Sequence, residues 1–159
     1  MAFISKDSAL EKIKYYCNYQ ERSHFEIQTK LFQMGVSKKM RDDILSELIA
    51  GDYLNEERFA VLFAGGKFRM KSWGKKKISQ ALGAKKVSTQ NIQTALNAIP
   101  LVDYENTLLK LAEKKWKSFR TQNKFLNKQK TYAFLLQKGF EPHLIQEALK
   151  NLEEENNKD

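Results

Sequence analysis

Apolar residues along this chain recur at helical spacing in one segment after another, and only two prolines interrupt its 159 residues. Leu10, Ile13, Tyr16 and Cys17 form one stripe. Phe59, Leu62, Phe63 and Met70 form a second, and Leu108, Ala112, Trp116 and Phe119 a third. A period near 3.6 residues predicts amphipathic helices, and the short gaps between stripes leave room only for tight turns. The expected class is all-α.

The pattern also repeats. Leu31 aligns with Leu82 and Leu135, Val36 with Val87 and Phe140, Leu45 with Leu96 and Leu149, and Leu48 with Ile99 and Leu152. Ile44, Ala95 and Ala148 fall into the same register. In the first and third copies a glycine, Gly35 or Gly139, follows the aligned leucine at the spacing of a helix C-cap. The middle copy has Lys86 there and Gly83 earlier, so its turn is expected to differ. Ser23, Ser37 and Ser88 suit helix N-caps, and Glu141-Pro142 suits a helix start.

Each copy therefore reads as a long helix followed by helix, turn, helix. The chain divides into three three-helix repeats, near residues 1–52, 53–101 and 102–159. A unit of about 50 residues buries only a marginal core alone, so the repeats should stack, and an elongated, curved array of about nine helices is expected. Gly65-Gly66 inside the fourth helix predicts a kink or a close helix contact, because each glycine costs about 1 kcal/mol against alanine.

Charge changes the picture more than composition does. The net charge is +9, and the stretch from Arg58 to Val102 holds nine Lys/Arg and no acidic residue. The excess is local, and Phe68, Met70, Trp73 and Ile78 are interleaved with it. That is the pattern of a folded basic surface, which attracts anionic polymers or acidic grooves. Lys67, Arg69, Lys71 and the Lys75–Lys77 run cannot share one helical face. They should wrap a helix end and the turn after it, where they could meet phosphates at different heights. Lys85 and Lys86 follow one element later, and Lys110, Lys114, Lys117 and Arg120 extend a second basic tract. For Trp73 and Trp116 packing is expected before base stacking.

Catalytic apparatus is not found. Cys17 is the single cysteine, which rules out an intrachain disulfide and a cysteine-based zinc site, and fits a reducing cytoplasm. His24 and His143 sit at what read as corresponding helix starts, where a surface or capping role is expected rather than metal binding. Ser23 and His24 are sequence neighbours whose side chains diverge on a helix, so they make no nucleophile–base pair. Asp42, Asp43 and Glu47 read as a solvated face. Gly65-Gly66-Lys67 lacks the first glycine and the hydroxyl of a phosphate loop, since Val61 and Phe68 occupy those positions. No segment approaches the length needed to cross a bilayer, and no apolar signal core opens the chain. The residues point to a soluble, intracellular protein, and no metal or cofactor is expected.

Three motifs together resemble the RecX family of bacterial recombinase regulators. They are Asp52-Tyr53-Leu54-Asn55-Glu56-Glu57-Arg58-Phe59-Ala60, the basic run into Trp73-Gly74-Lys75-Lys76-Lys77-Ile78, and Lys138-Gly139-Phe140 before the last helix. Their order and the three-helix repeat extend the likeness over nearly the whole chain. The sequence departs from the family at Lys75, where a proline is common, at Gly65-Gly66, and at the Gly83–Val87 turn. The resemblance implies a cytoplasmic, non-enzymatic regulator that lies in the groove of the RecA filament on DNA. It would restrain ATP hydrolysis, strand exchange and co-protease activity, in recombination, DNA repair and the SOS response. The expected contact set is Lys67, Arg69, Lys71, Trp73, Lys75, Lys76, Lys77, Lys85, Lys86, Lys114, Lys117 and Arg120. The partners are the RecA filament and, weakly, single-stranded or duplex DNA, engaged by a monomer. One alternative is a stand-alone basic helical module that binds nucleic acid without a protein partner; a third reading, an enzyme with an unrecognised site, has the missing catalytic constellation against it.

Overall fold

A computed structural model describes residues 4–119 and 123–157, and among these the backbone forms helices and turns with no strand. The helices are α1 (Lys6–Tyr19), α2 (His24–Gln33), α3 (Lys38–Ala50), α4 (Glu56–Lys71), α5 (Lys75–Ala84), α6 (Thr89–Asn97), α7 (Leu101–Ser118), α8 (Lys124–Lys138) and α9 (Pro142–Asn157). α1, α2 and α3 pack on one another, and so do α7, α8 and α9. The chain forms two compact units, one of Met1–Phe63 with Ala81–Ala95, the other of Ala64–Gln80 with Leu96–Asp159. The middle helices α4, α5 and α6 thus contribute residues to both.

Helix starts follow the polar caps. The Ser5 hydroxyl accepts from the Ser8 amide, Ser23 from Glu26, Ser37 from Met40 and Ser88 from Asn91. Asn55 and Asn123 do the same for the Arg58 and Leu126 amides. Each bond satisfies a first-turn N–H that has no partner within its helix. Ser23, fully buried as a cap, is also bonded to the Glu26 carboxylate, which leaves it no nucleophilic role. His24 opens α2, whereas His143 lies in the first turn of α9, so the two histidines do not occupy corresponding helices as the sequence suggested.

The turns within the three helix pairs share one construction. Val36 donates to Leu31 O and Gly35 to Phe32 O; Phe140 donates to Leu135 O and Gly139 to Leu136 O. These paired bonds close a Schellman turn, with the glycines at φ 81° and 99°. The middle pair was expected to differ and does not. Val87 donates to Leu82 O and Lys86 to Gly83 O, with Lys86 itself held at φ 60°. Burial explains why. Val36, Val87 and Phe140 must each enter the core, and only a left-handed residue before them turns the chain that sharply. Lys86 accepts a steric cost of about 1 kcal/mol so that Val87 can be buried.

Most of the predicted core columns are inside: Leu31, Leu82 and Leu135 are fully or nearly fully buried, as are Ile44, Ala95 and Ala148. In the first unit the cluster comprises Ala9, Ile13, Cys17, Ile27, Leu31, Val36, Ile44, Leu48 and Leu54. Burial there pushes the Cys17 thiol up to about 11, so it stays protonated at neutral pH. The face of α4 differs from the sequence reading. Phe59 is buried as expected, but Leu62 and Met70 are 53% and 86% exposed, and Ala60, Ala64 and Phe68 are buried in their place. The small residues Ala60 and Ala64 take buried positions, which a count of large apolar residues does not register. α4 also runs unbroken through Gly65-Gly66, without the kink: a Cβ on Gly66 would meet nothing within 4 Å, and the atoms nearest to one on Gly65 belong to the Arg69 guanidinium of the same helix.

The corner between α3 and α4 explains the acidic-basic motif. Asp52 takes φ 61°, and the Arg58 guanidinium reaches back to the Asp52 carboxylate at 3.2 Å and to Glu21 at 2.6 Å. Arg58 therefore belongs to a structural staple, separate from the basic run after it.

Replacing Lys86 by glycine should relieve the left-handed strain, about 1 kcal/mol, and lose an exposed contact with the Phe25 ring of about 0.5 kcal/mol. The expected outcome is a melting temperature raised by roughly 1–2 °C. A lowered melting temperature would contradict the strain argument.

Candidate functional site

The basic run lies where expected, around one helix end and the turn that follows. α4 finishes with Arg69 and Lys71, Ser72 turns the chain at φ 55°, and α5 opens directly with Lys75, Lys76 and Lys77. Arg69, Lys71 and Lys76 are exposed, and Lys67, Trp73, Lys75 and Lys77 are half-buried. The Lys67 and Lys77 ammonium groups stand 5.0 and 4.8 Å from the centre of the Trp73 ring. Trp73 is therefore a positioning surface for cations, held by the attraction between their charge and the ring quadrupole. This differs from the core role that the sequence favoured. Trp116 is likewise only half-buried.

What holds this corner in place is a backbone contact. Gly74 donates its amide to Lys138 O at 2.7 Å, and Lys76 donates to Gly139 O at 2.9 Å. A Cβ on Gly74 would fall inside the contact distance of the Gly139 carbonyl and the Phe140 nitrogen. A Cβ on Gly139 would meet the Lys77 nitrogen at 2.7 Å. Two glycines thus let the start of α5 lie directly on the turn between α8 and α9.

Side chains close over the same joint. Tyr104 is buried, accepts from the Lys75 amide at 2.9 Å, and donates its hydroxyl to the Glu141 carboxylate. Its ring packs beside Phe68 and Phe140, with centroids 5.8 and 5.3 Å away. Burial, then the bond to Glu141, raises the phenol far above its usual range. The Lys138 ammonium donates to Lys71 O at 2.7 Å, capping the carbonyl end of α4 with positive charge. Burial, and then Lys77 and Lys71 nearby, depress the Lys138 pKa below the ordinary lysine value. The first amides of α5 are consumed by Lys138, Tyr104 and Gly139, so that helix start is not an open anion cradle.

The remaining candidates fall elsewhere. Lys85 and Lys86 belong to the other compact unit, where Lys85 pairs with Glu26 at 3.3 Å and Lys86 stands over Phe25. Lys114 is exposed on α7, whereas Lys117 is held by Glu113 at 2.6 Å one turn away. Arg120 lies outside the described residues. Sequence reasoning missed Lys138 and Tyr104 as parts of the site. The Lys138-Gly139-Phe140 motif was noted for its turn alone, and nothing local signals that its lysine reaches the end of α4. The acidic side chains Asp42, Asp43 and Glu47 are exposed, as a solvated face should be. Among the described residues no group of His, Cys, Asp and Glu could hold a metal ion, and no helix is long and apolar enough to cross a membrane.

Helix triplets that recur along the chain, with a cation-rich joint between the second and the third, define a tandem-repeat helical protein. Residues 55–96 match the second three-helix domain of RecX, and residues 103–149 match its third. Between them the two matches span more than half of the chain, and the chain belongs to the RecX family. Regulatory protein RecX of Enterococcus faecalis is 30% identical over 148 residues, covering 93% of this chain and 56% of that protein. Its counterpart in Bacillus cytotoxicus is 29% identical over 140 residues, covering 88% and 52%. The chain thus spans about half the length of these relatives. The crystal structure of RecX from Lactobacillus salivarius superposes with a TM-score of 0.87 at 22% identity, over 93% of this chain and 96% of that one. A second RecX crystal structure gives 0.83 at 23% identity, over 92% and 71%. At that identity the structures establish the fold.

Gly74→Ala should destabilise the protein by roughly 2 kcal/mol or more, because the added methyl meets backbone that cannot yield. Gly66→Ala is the control, expected to stabilise by about 0.5–1 kcal/mol in an open helical position. Urea unfolding of both variants checks the contrast; equal effects would mean that the glycine joint is not tightly closed.

Proposed function

We infer that this protein is a non-enzymatic regulator of the RecA recombinase. It binds the RecA filament on DNA and holds back its ATP hydrolysis, strand exchange and co-protease activity. Membership of the RecX family supports the reading, and relatives in that family carry the name regulatory protein. The observation that carries it is the joint itself. Arg69, Lys71, Lys75, Lys76 and Lys77 are gathered on one corner, and among the described residues none of them forms an ion pair with an acidic side chain.

An uncompensated cation retains its attraction for phosphate, whereas a lysine already paired with a carboxylate has lost most of it. Lys67 and Trp73 shape this corner, and Lys114 extends the contact on α7. Lys85, Lys86 and Lys117 are weaker contributors, because acid or ring contacts engage them already. Several modest contacts along a filament add through effective concentration, so affinity for the filament exceeds affinity for bare DNA. The protein acts as a monomer in the cytoplasm.

Replacing Lys75, Lys76 and Lys77 by glutamate should abolish inhibition of RecA ATPase on single-stranded DNA at substoichiometric protein, with helicity retained by circular dichroism. Full inhibition by this variant would move the contact elsewhere. Should the wild-type protein leave the ATPase unchanged at equimolar ratio yet bind bare DNA tightly, with a salt slope near 0.9 per neutralised phosphate on duplex, the stand-alone nucleic-acid module is the correct reading.

A further inference from the structure

The arrangement at Trp73, two lysines on one ring, occurs a second time in the same compact unit. Lys115 of α7 reaches across to α8, where its ammonium stands 4.8 Å from the centre of the Phe134 ring. Lys130 of α8 reaches back, to 5.6 Å from the centre of Phe119 at the end of α7. Lys115 also lies 5.6 Å from that same centre. Two ammonium groups from two helices therefore share the Phe119 ring, and they stand at most twice that distance apart. The ring quadrupole attracts both cations and leaves their charge in place.

The acids around them are committed elsewhere. Glu113 pairs with Lys117 at 2.6 Å, and Glu153 pairs with Lys128 at 3.2 Å. Among the described residues neither Lys115 nor Lys130 forms an ion pair with an acidic side chain. On α7 and α8 alike, one lysine is neutralised and another, two residues away, is set against aromatic rings. Lys130 is exposed, and Lys115, Phe119 and Phe134 are half-buried, so a ligand can reach the pair.

We propose that Lys115 and Lys130 form a second phosphate-binding station for single-stranded DNA, with Phe119 holding the two ammonium groups at a set spacing. This rests on the reading of the protein as one that meets DNA, and it adds a site outside the α4–α5 corner. It also moves the weight of the third repeat's contact from Lys117, which Glu113 already engages, to Lys115 and Lys130. Cations that follow a backbone, interleaved with aromatic rings, are the equipment of single-strand grooves. Lysines already ordered on a ring lose less conformational freedom on meeting phosphate than lysines free in solvent. Phe119 is thus a positioning residue, and the two ammonium groups are the ligand contacts.

The test is the salt dependence of binding to a labelled oligothymidylate, read by fluorescence anisotropy on the full chain. Changing Lys115→Gln together with Lys130→Gln should lower the slope of log affinity against log salt by about 1.4, at roughly 0.7 per phosphate lost on a single strand. Lys115→Arg with Lys130→Arg should keep the wild-type slope, because both cations remain. Lys12→Gln with Lys39→Gln, exposed lysines of α1 and α3 in the other compact unit, should keep it too. The slope is the decisive quantity, since a loss of folded protein lowers affinity at every salt concentration alike. An unchanged slope in the Lys115 and Lys130 glutamine variant would overturn the proposal, as would an equal fall in the Lys12 and Lys39 variant. Failure of the wild type to bind the oligonucleotide at the lowest salt would overturn it as well. A fall seen with duplex but not with the single strand would overturn the single-strand assignment. RecA ATPase measured on the same proteins separates the two readings. A lowered slope without ATPase inhibition by the wild type sustains the station and removes the regulator function; inhibition with an unchanged slope removes the station alone.

Discussion

Everything distinctive in the second unit depends on two glycines meeting across the joint between the second and third repeats. A Cβ on Gly74 would strike the backbone of Gly139 and Phe140, and one on Gly139 would strike Lys77. Their closeness allows the amides of Gly74 and Lys76 to reach carbonyls that would otherwise end α8 unsatisfied. Tyr104 then fills the space beneath, its ring against Phe68 and Phe140 and its hydroxyl between Lys75 and Glu141. A buried phenol with both its acceptor and its donor satisfied costs little, and it fixes the register of α5. The lysines of α5 are displayed at defined positions because the backbone beneath them has nowhere to move.

Electrostatics separates the two units. In the first, cations are spent on structure: Arg58 joins Glu21 and Asp52, Lys85 joins Glu26, and Lys6 joins Glu47. In the second, the corner cations lean on an aromatic ring or a helix carbonyl end, neither of which cancels their charge. Such a surface keeps its field for a partner. The family relationship and this arrangement support the same proposal of an anionic partner.

Much of this was legible beforehand, for reasons that are local. Serine caps, the glycines at Schellman turns and the helical period act within one or two turns of chain, so Ser23, Ser37, Ser88, Gly35 and Gly139 were read in the right places. Lys86 was misjudged because burial of Val87 outweighs a left-handed penalty on one exposed residue. Leu62 and Met70 were misjudged because Ala60, Ala64 and Phe68 occupy the buried face of α4. Lys138 and Tyr104 were overlooked because Lys71, Lys75 and Phe68, which they meet, lie in another repeat, and a single sequence gives no register between repeats. The basic character of the corner was plain; which of its charges remain uncompensated required the fold.

The central claim is that the corner closed by Gly74 and Gly139 faces the filament. A photoreactive side chain placed at position 76, which is exposed, tests it directly against one placed at position 154 on α9. Cross-linking to RecA–DNA filaments from position 76, lost when Gly74 is also changed to alanine, is the predicted result. Equal cross-linking from both positions, or from position 154 alone, would contradict the account.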